Sequence, residues 1–305
     1  MAKSLYLECE TGISGDMTVA ALLDLGADQE GLLKALATIP ADGYKIQISS
    51  VKKAGLRCLD FDVVLEEENH DHDMAYLYGH LDGKMADMDE HHHHHTHDDH
   101  HEGEHHHHHD HEGERHHEHS HEHHHEHGHH HSHRGLKDIE AIIAQTEISD
   151  GAKAIAVKIF EIIARAEAKA HGEALENVHF HEVGAIDSIV DVIAIAYCVD
   201  DLMKKYSIEQ VIVPHLCEGT GSVRCQHGIL PVPVPAVVNI ACENGIALKR
   251  VSQVGEMVTP TGAAAVAAIC TTKDLPESYT IQAVGLGAGK RQYERPSILR
   301  AFIIA

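Results

Sequence analysis

Apolar residues in this chain fall into short runs and helical periods on either side of one long stretch that has none. Ser4 to Cys9 (SLYLEC) is a compact apolar run of the kind that forms a buried strand. MTVAALLDLG then carries helical spacing and closes on Gly26, which predicts a helix with a glycine C-cap. A short helix over Gln29 to Ala37 follows. Tyr44 to Ser50 and Leu59 to Leu65 alternate like paired strands, joined through KKAGLRC with Gly55 in the turn. From Glu66 the apolar pattern stops. It resumes with a helix over Leu136 to Thr146 and a longer one, capped by Ser149-Asp150, ending near Gly172. A third helix starts near Asp187 and runs through IAIAYCVDDLM. Gln210 to Cys217 (QVIVPHLC) reads as a buried strand, and GTGSVRCQHGILPVPVPAVV as a loop punctuated by Gly and Pro, leading into a helix over Pro235 to Asn244. An Ala-rich helix follows in VTPTGAAAVAAI. Tyr279 to Val284 and Ser297 to Ile304 close the chain as two strands around the glycine turn GLGAGKR. The pattern predicts an α/β or α+β fold of short strands and Ala-rich helices. It has an N-terminal α/β part (1–66), a disordered His/Asp/Glu-rich insertion (67–134) and a larger α/β part (135–305).

The insertion changes the picture most. Of the chain's 34 histidines, 26 lie between His91 and His133, interleaved with ten acidic residues and one arginine. With nothing apolar to bury, such a segment cannot offset the entropy of ordering its backbone. Its chemistry points to metal. Imidazole ligates borderline divalent ions and carboxylates add oxygen donors, so Ni(II), Zn(II), Co(II) and Cu(II) all fit, while the absence of Cys disfavours Cu(I). The candidate ligands are His91, His92, His93, His94, His95 and His97, then His105, His106, His107, His108 and His109, then His123, His124, His125, His129, His130 and His131. His70, Asp71, His72 and Asp73 extend this character or are simply loop polarity. A purification tag would be a short run at a terminus, and this stretch is internal and long.

Charge and cysteine usage narrow the class. The formal net charge is −24, which argues against nucleic acid and against anionic membrane surfaces as partners. The seven cysteines are scattered and form no CxxC, the usage of a reducing compartment. No stretch is long and apolar enough for a membrane span, and the expected location is cytoplasmic.

Three further stretches carry candidate chemistry. ETGISGD places Gly12, Ser14, Gly15 and Asp16 in a strand-to-helix turn, either as a phosphate or carboxylate cradle or as a tight turn with Asp16 as N-cap. NVHFHEVGAIDSIVD sets His179 and His181 on one side of an extended segment, with Glu182 next to them. Asp187 and Asp191 follow, four apart on one helical face. Several titratable groups within one turn suggest a site, against ordinary capping by Asp187 and hydrogen-bonded histidines. Arg224 and His227 lie in the Gly/Pro-punctuated loop and could meet a phosphate. Thr259 and Thr261 stand at a helix entry, as N-caps or anion contacts, with Glu256 as a further carboxylate. Glu161 and Glu167 read as solvated helix charges.

LECETGISGDMTVAALLDLG, VHFHEVGAIDSIVDVI, GTGSVRCQHGILPVPVPA, GEMVTPTGAA and GLGAGKRQYERPSILR, in this order around a His-rich insertion, resemble the LarC family of nickel insertases. The resemblance implies an enzyme of the metal-chelatase, lyase class. Its substrate would be pyridinium-3,5-bisthiocarboxylic acid mononucleotide, and Ni(II) would be set between two sulfurs and a pyridinium carbon to give the nickel-pincer nucleotide cofactor of lactate racemase type enzymes. It also implies CTP with Mg²⁺ or Mn²⁺, bound by a C-terminal domain that this sequence lacks and that a separate or frameshifted partner chain would supply. A homo-oligomer and a downstream nickel-pincer-dependent enzyme are the other expected partners. The resemblance identifies no catalytic residue. On chemistry alone, the His179, His181, Glu182, Asp187 and Asp191 group would pass nickel to the substrate, with His181 or Glu182 as base, while a glycine turn such as Gly12 to Gly15 holds the phosphate.

Two other classes compete: a nickel store or metallochaperone without insertase activity, and a metal-dependent hydrolase built on the HFHE cluster. Deleting residues 91–133 separates the first from an insertase. Bulk nickel binding, read by equilibrium dialysis, is expected to collapse, while insertion at saturating nickel survives; a store would lose its function altogether.

Overall fold

The computed structural model describes residues 3–65, 134–178, 180, 184–225 and 227–305, which form one compact unit. The His-rich stretch, and with it every tract histidine proposed above as a ligand, lies outside the described residues. So do His179, His181 and Glu182.

The segments before and after the insertion share one sheet. β1 (Lys3–Glu8), β2 (Tyr44–Lys53), β3 (Leu56–Leu65), β4 (Ile208–Ile212), β9 (Ile281–Ala288) and β10 (Ile298–Ile304) line up in the order β2-β3-β9-β10-β1-β4. β1 pairs antiparallel with β10 and parallel with β4, and β3 meets β9 in parallel. The mixture of parallel and antiparallel pairs matches the mixed α/β class expected from the pattern. β1 alternates between two covered faces. Leu5 and Leu7 enter the main core, while Tyr6 joins Phe302, Ile212 and Ile304 on the other side. The Tyr6 and Phe302 rings stack there at 5.5 Å.

Seven α-helices are described. α1 (Gly15–Leu25), α2 (Gln29–Leu36), α3 (Leu136–Gln145), α4 (Asp150–His171), α5 (Ile186–Tyr206), α6 (Pro235–Asn244) and α7 (Pro260–Ile269) are interspersed among the strands. Their ends follow the expected chemistry. Ser149 accepts from the Ala152 N–H at the head of α4, and Gly26 and Gly172 close α1 and α4 in the left-handed conformation. α4 packs against α5, α6 and α7, and alanines keep these contacts close. Among the described residues no helix is long and apolar enough to cross a membrane.

Three expectations are corrected. QVIVPHLC is not one strand: β4 ends at Ile212, and β5 (Leu216–Thr220) restarts after Val213-Pro214-His215 to pair in parallel with β8 (Leu248–Val254). Pro214 has no N–H to continue the first ladder. The stretch read as a Gly/Pro loop contains a hairpin, β6 (Ser222–Cys225) against β7 (Gly228–Pro231). Two of the three glycines of GLGAGKR are not in the turn between the last strands. Gly285 and Gly287 lie inside β9, where α1 crosses it.

That crossing is too close for a side chain. A Cβ at Gly287 would stand 2.1 Å from the Met17 carbonyl oxygen, and one at Gly285 2.2 Å from that of Ala21. The obstacles are helix backbone, which cannot rotate away. Gly287→Ala is therefore expected to cost about 1–3 kcal/mol, the range for overpacking, read as a lower midpoint in urea denaturation with an unchanged slope.

Candidate functional site

The turn from β1 to α1 is clamped by backbone. The Ile13 N–H donates to the Met257 carbonyl at 2.9 Å, and the Ile13 carbonyl accepts from the Thr259 N–H at 3.0 Å. Gly12 has φ +90°, and a Cβ on it would meet the Met257 oxygen at 2.0 Å, so only glycine fits. At the helix that follows, Ser14 and not Asp16 is the N-cap residue. Its hydroxyl makes no cap bond and donates to the Asp16 carboxylate in the first turn.

α5 runs alongside α1, with Asp191 at Gly15 and Tyr206 at Gly26. Ala185, not Asp187, occupies its N-cap, so Asp187 and Asp191 lie on successive turns of one face. The Asp191 carboxylate rests on Gly15, where an added Cβ would be 2.4 Å from its Oδ2. Two stretches singled out separately in the sequence thus meet. A third joins them: Lys290, just after β9, sits 2.8 Å from Asp60 and 3.4 Å from Asp62, both on β3.

The electrostatics are those of crowded acids. Burial raises the pKa of Asp16, opposed by the Ser14 hydroxyl, the Met17 N–H and Lys290. Asp191 is held well above the usual carboxylate range, first by burial and then by the charges of Asp16 and Asp187. Asp187 is raised by burial too, and among the described residues its buried Oδ1 has no hydrogen-bond partner. Lys290 loses charge preference through burial but regains more from Asp60, Asp62 and Asp16, so it stays protonated. Carboxyls whose pKa is raised in this way can hold and release a proton and can offer oxygen donors to a cation. Their negative charge makes this end of α1 a better place for a cation than for a phosphate.

Basic character lies just beyond. Arg291 follows Lys290 and, with Lys52 and Lys53 of the β2–β3 hairpin, lines a cleft of about 380 Å³. Arg291 is also ion-paired to the buried Glu256.

The other predicted residues are dispersed. Arg224 and His227 belong to the β6–β7 hairpin, where the His227 ring lies 4.9 Å from that of His171 at the end of α4. Thr259 is the N-cap of α7, accepting from the Gly262 N–H at 3.1 Å, and Thr261 is buried. Glu161 and Glu167 pair with Arg165 and His171 on α4. Between the undescribed His179 and His181, Phe180 is buried against Phe160. This segment is tied to the residue that follows the His-rich stretch. The Phe180 N–H donates to the Arg134 carbonyl at 3.3 Å, and Arg134 donates to the Gly184 carbonyl at 3.1 Å.

One grouping escaped the sequence patterns. Glu10, His215 and Cys217 converge so that one donor atom from each lies within 4.8 Å of the others. The signal was His215 and Cys217 at alternate positions of an extended segment, but the reading of that segment as a plain buried strand hid it.

Comparison with known proteins bears on all of this. A family model described as nickel insertion protein matches residues 5–305. The chain is 46% identical, over its whole length, to a pyridinium-3,5-bisthiocarboxylic acid mononucleotide nickel insertion protein of Alkaliphilus metalliredigens, covering 61% of that relative. It is 39% identical to the protein of the same name in Clostridium acetobutylicum, with 98% of this chain and 63% of that one aligned. For Acetivibrio thermocellus the identity is 35%, over 98% of this chain and 60% of the relative. The chain thus spans about three fifths of the length of the curated relatives it matches. No solved structure matches it.

The site predicts a pH signature. A carboxylic acid whose folded pKa lies above its unfolded value binds more protons when folded, so stability falls as pH rises from the unfolded carboxylate range, about 4, through the folded pKa. Asp191→Asn removes the raised group. The variant is expected to gain stability over the parent at neutral pH, each tenfold difference in proton affinity between folded and unfolded chain being worth ~1.4 kcal/mol. That advantage should disappear near pH 4. Urea midpoints measured across this range check the crossover.

Proposed function

The chain belongs to the nickel insertion protein family, and from that membership we propose that it inserts Ni(II) into pyridinium-3,5-bisthiocarboxylic acid mononucleotide to form the nickel-pincer cofactor. The observation that carries the placement of the reaction is the meeting of Asp191 with the Gly15–Asp16 turn at the head of α5. The His-rich stretch collects the ion. It ends in sequence one residue before Arg134, which bonds to Phe180 and Gly184 just ahead of α5.

Each group then has a task. Carbon–nickel bond formation requires loss of the proton on the pyridinium carbon, and a carboxylate pair with a raised pKa is suited to accept it. His179, His181 and Glu182 adjoin α5 in sequence and are the further candidates for ligand or base. The phosphate of the mononucleotide fits the Lys52, Lys53 and Arg291 cleft better than the acidic head of α1. Arg224, His227, Thr259 and Thr261 are left with structural tasks. The CTP-dependent step, with Mg²⁺ or Mn²⁺, belongs to the part of the relatives outside the match, supplied as a partner or as more of the same polypeptide. The product would serve a downstream nickel-pincer enzyme of the lactate racemase type. The family match favours insertion over storage and over hydrolysis.

The test is insertion by the purified chain with the mononucleotide, Ni(II), CTP and Mn²⁺, with and without the remainder of a relative supplied separately. Nickel-bearing product, identified by mass, is expected when the remainder is present. Asp16→Asn and Asp191→Asn should each lower the rate by about 10²-fold, the lower range for losing a general base, and leave bulk nickel binding unchanged. Unaltered rates in both variants would remove these carboxylates from the reaction. Absence of product under all conditions, with nickel still held, would favour storage.

A further inference from the structure

Glu10, His215 and Cys217 come from two separate parts of the chain and are already in contact. Glu10 follows β1; its Oε1 is 2.7 Å from the His215 Nε2, and its Oε2 accepts from the Cys217 thiol at 3.3 Å. The positions are set by backbone. The Cys217 N–H donates to the Cys9 carbonyl at 3.1 Å, and Cys9 and Leu216 form a parallel bridge, which brings the end of β1 alongside the start of β5. Glu218, next along β5, is anchored by the N–H groups of Gly219, Met257 and Val258. The strand bearing Cys217 is therefore held from both sides.

We propose that Glu10, His215 and Cys217 form a binding site for one borderline divalent cation, a sulfur-containing station distinct from the His-rich stretch. One nitrogen, one oxygen and one sulfur donor select Ni(II), Zn(II) or Co(II) over Mg²⁺ and Ca²⁺, which take oxygen. Three protein ligands leave a coordination position open, the arrangement of sites that exchange or react and not of closed structural ones. The Lys249 ammonium, 3.2 Å from Glu10 Oε2, balances the carboxylate when no ion is bound. Its side chain is 54% exposed, so an incoming dication can displace it into solvent. Binding forms a metal–sulfur bond as the Cys217 S–H bond breaks, and the proton leaves to solvent; no change of oxidation state is involved. That the ion is nickel in transit to the mononucleotide rests on the function proposed above, whereas the site itself does not.

The absence of cysteine between His91 and His133 provides a clean readout. The intact chain is titrated with Co(II) and with Ni(II), and the near-ultraviolet thiolate-to-metal charge-transfer band is followed; imidazole and carboxylate sites of the tract do not contribute to it. The band is expected to saturate at the intensity of one thiolate ligand per chain, after the competing imidazoles of the tract have taken their share of the added metal. It should vanish in Cys217→Ser and persist in Cys242→Ser, which changes an exposed cysteine. In Glu10→Gln and His215→Gln, both at partly exposed positions, it should need at least tenfold more metal. In Lys249→Gln it should need severalfold less, because the competing ammonium is gone. Lack of a band in the parent chain at excess metal, its survival in Cys217→Ser, or unshifted titrations in Glu10→Gln and Lys249→Gln would each overturn the site. These measurements use no mononucleotide. A failed insertion assay with the band intact would count against the insertion reading alone, and the reverse outcome against this site alone.

Discussion

Ile13 gives its N–H to Met257 and takes one from Thr259, and the glycines at 12 and 262 let the surrounding backbone come within contact of it. This short parallel bridge joins the end of β1 to the loop that leads into α7. The chemistry on either side hangs from it. Glu10 lies before the bridge and reaches His215 and Cys217, while Asp16 lies after it and faces α5. A shift of the bridge by one residue would invert the side chains along it and dissolve both groupings together. The clamp consists of backbone hydrogen bonds and missing Cβ atoms, so it holds its geometry whatever the protonation of the acids around it.

Those acids work against the fold. Asp16, Asp187 and Asp191 are gathered where two helix N-termini meet. The helix dipoles favour their ionised forms, yet burial and mutual repulsion outweigh them. Lys290 offsets part of the repulsion, but its direct contacts are with Asp60 and Asp62 on β3. Selection for stability alone would place apolar or amide side chains at such positions. Carboxyls whose pKa values are raised by their surroundings are characteristic of sites that move protons or bind cations, and the buried Asp187 Oδ1 has no hydrogen-bond partner among the described residues.

Much of the fold was visible in the amino-acid pattern because its elements are punctuated locally. Ser149 and Gly172 delimit α4, and Gly26 ends α1, through caps that need no tertiary context. The failures came where tertiary contact decides. Gly285 and Gly287 look like a turn, and only the crossing of α1 over β9 explains them. Pro214 marked the break between β4 and β5, but a strand that leaves one sheet to pair in another is not a local property. The candidate site was half legible. Gly15 and Asp191 were each picked out by neighbouring residues, and their contact across the fold was not. Glu10, His215 and Cys217 showed even less, since an acid after a strand and a buried cysteine are both ordinary features taken singly.

The groups also suggest why a protein of this family would carry more than one kind of metal ligand. Imidazoles and carboxylates are borderline-to-hard donors that hold a borderline dication reversibly. The two thiocarboxylates and carbon of the product proposed above are far softer. An ion moving directly between these extremes would have to shed most of its nitrogen and oxygen ligands before a sulfur bond forms. A station offering one oxygen, one nitrogen and one sulfur, with a position left open, lets the exchange proceed one ligand at a time. On this view Lys249 and the carboxylate it neutralises keep the station assembled between ions. The direction of transfer then follows from increasing donor softness along the route.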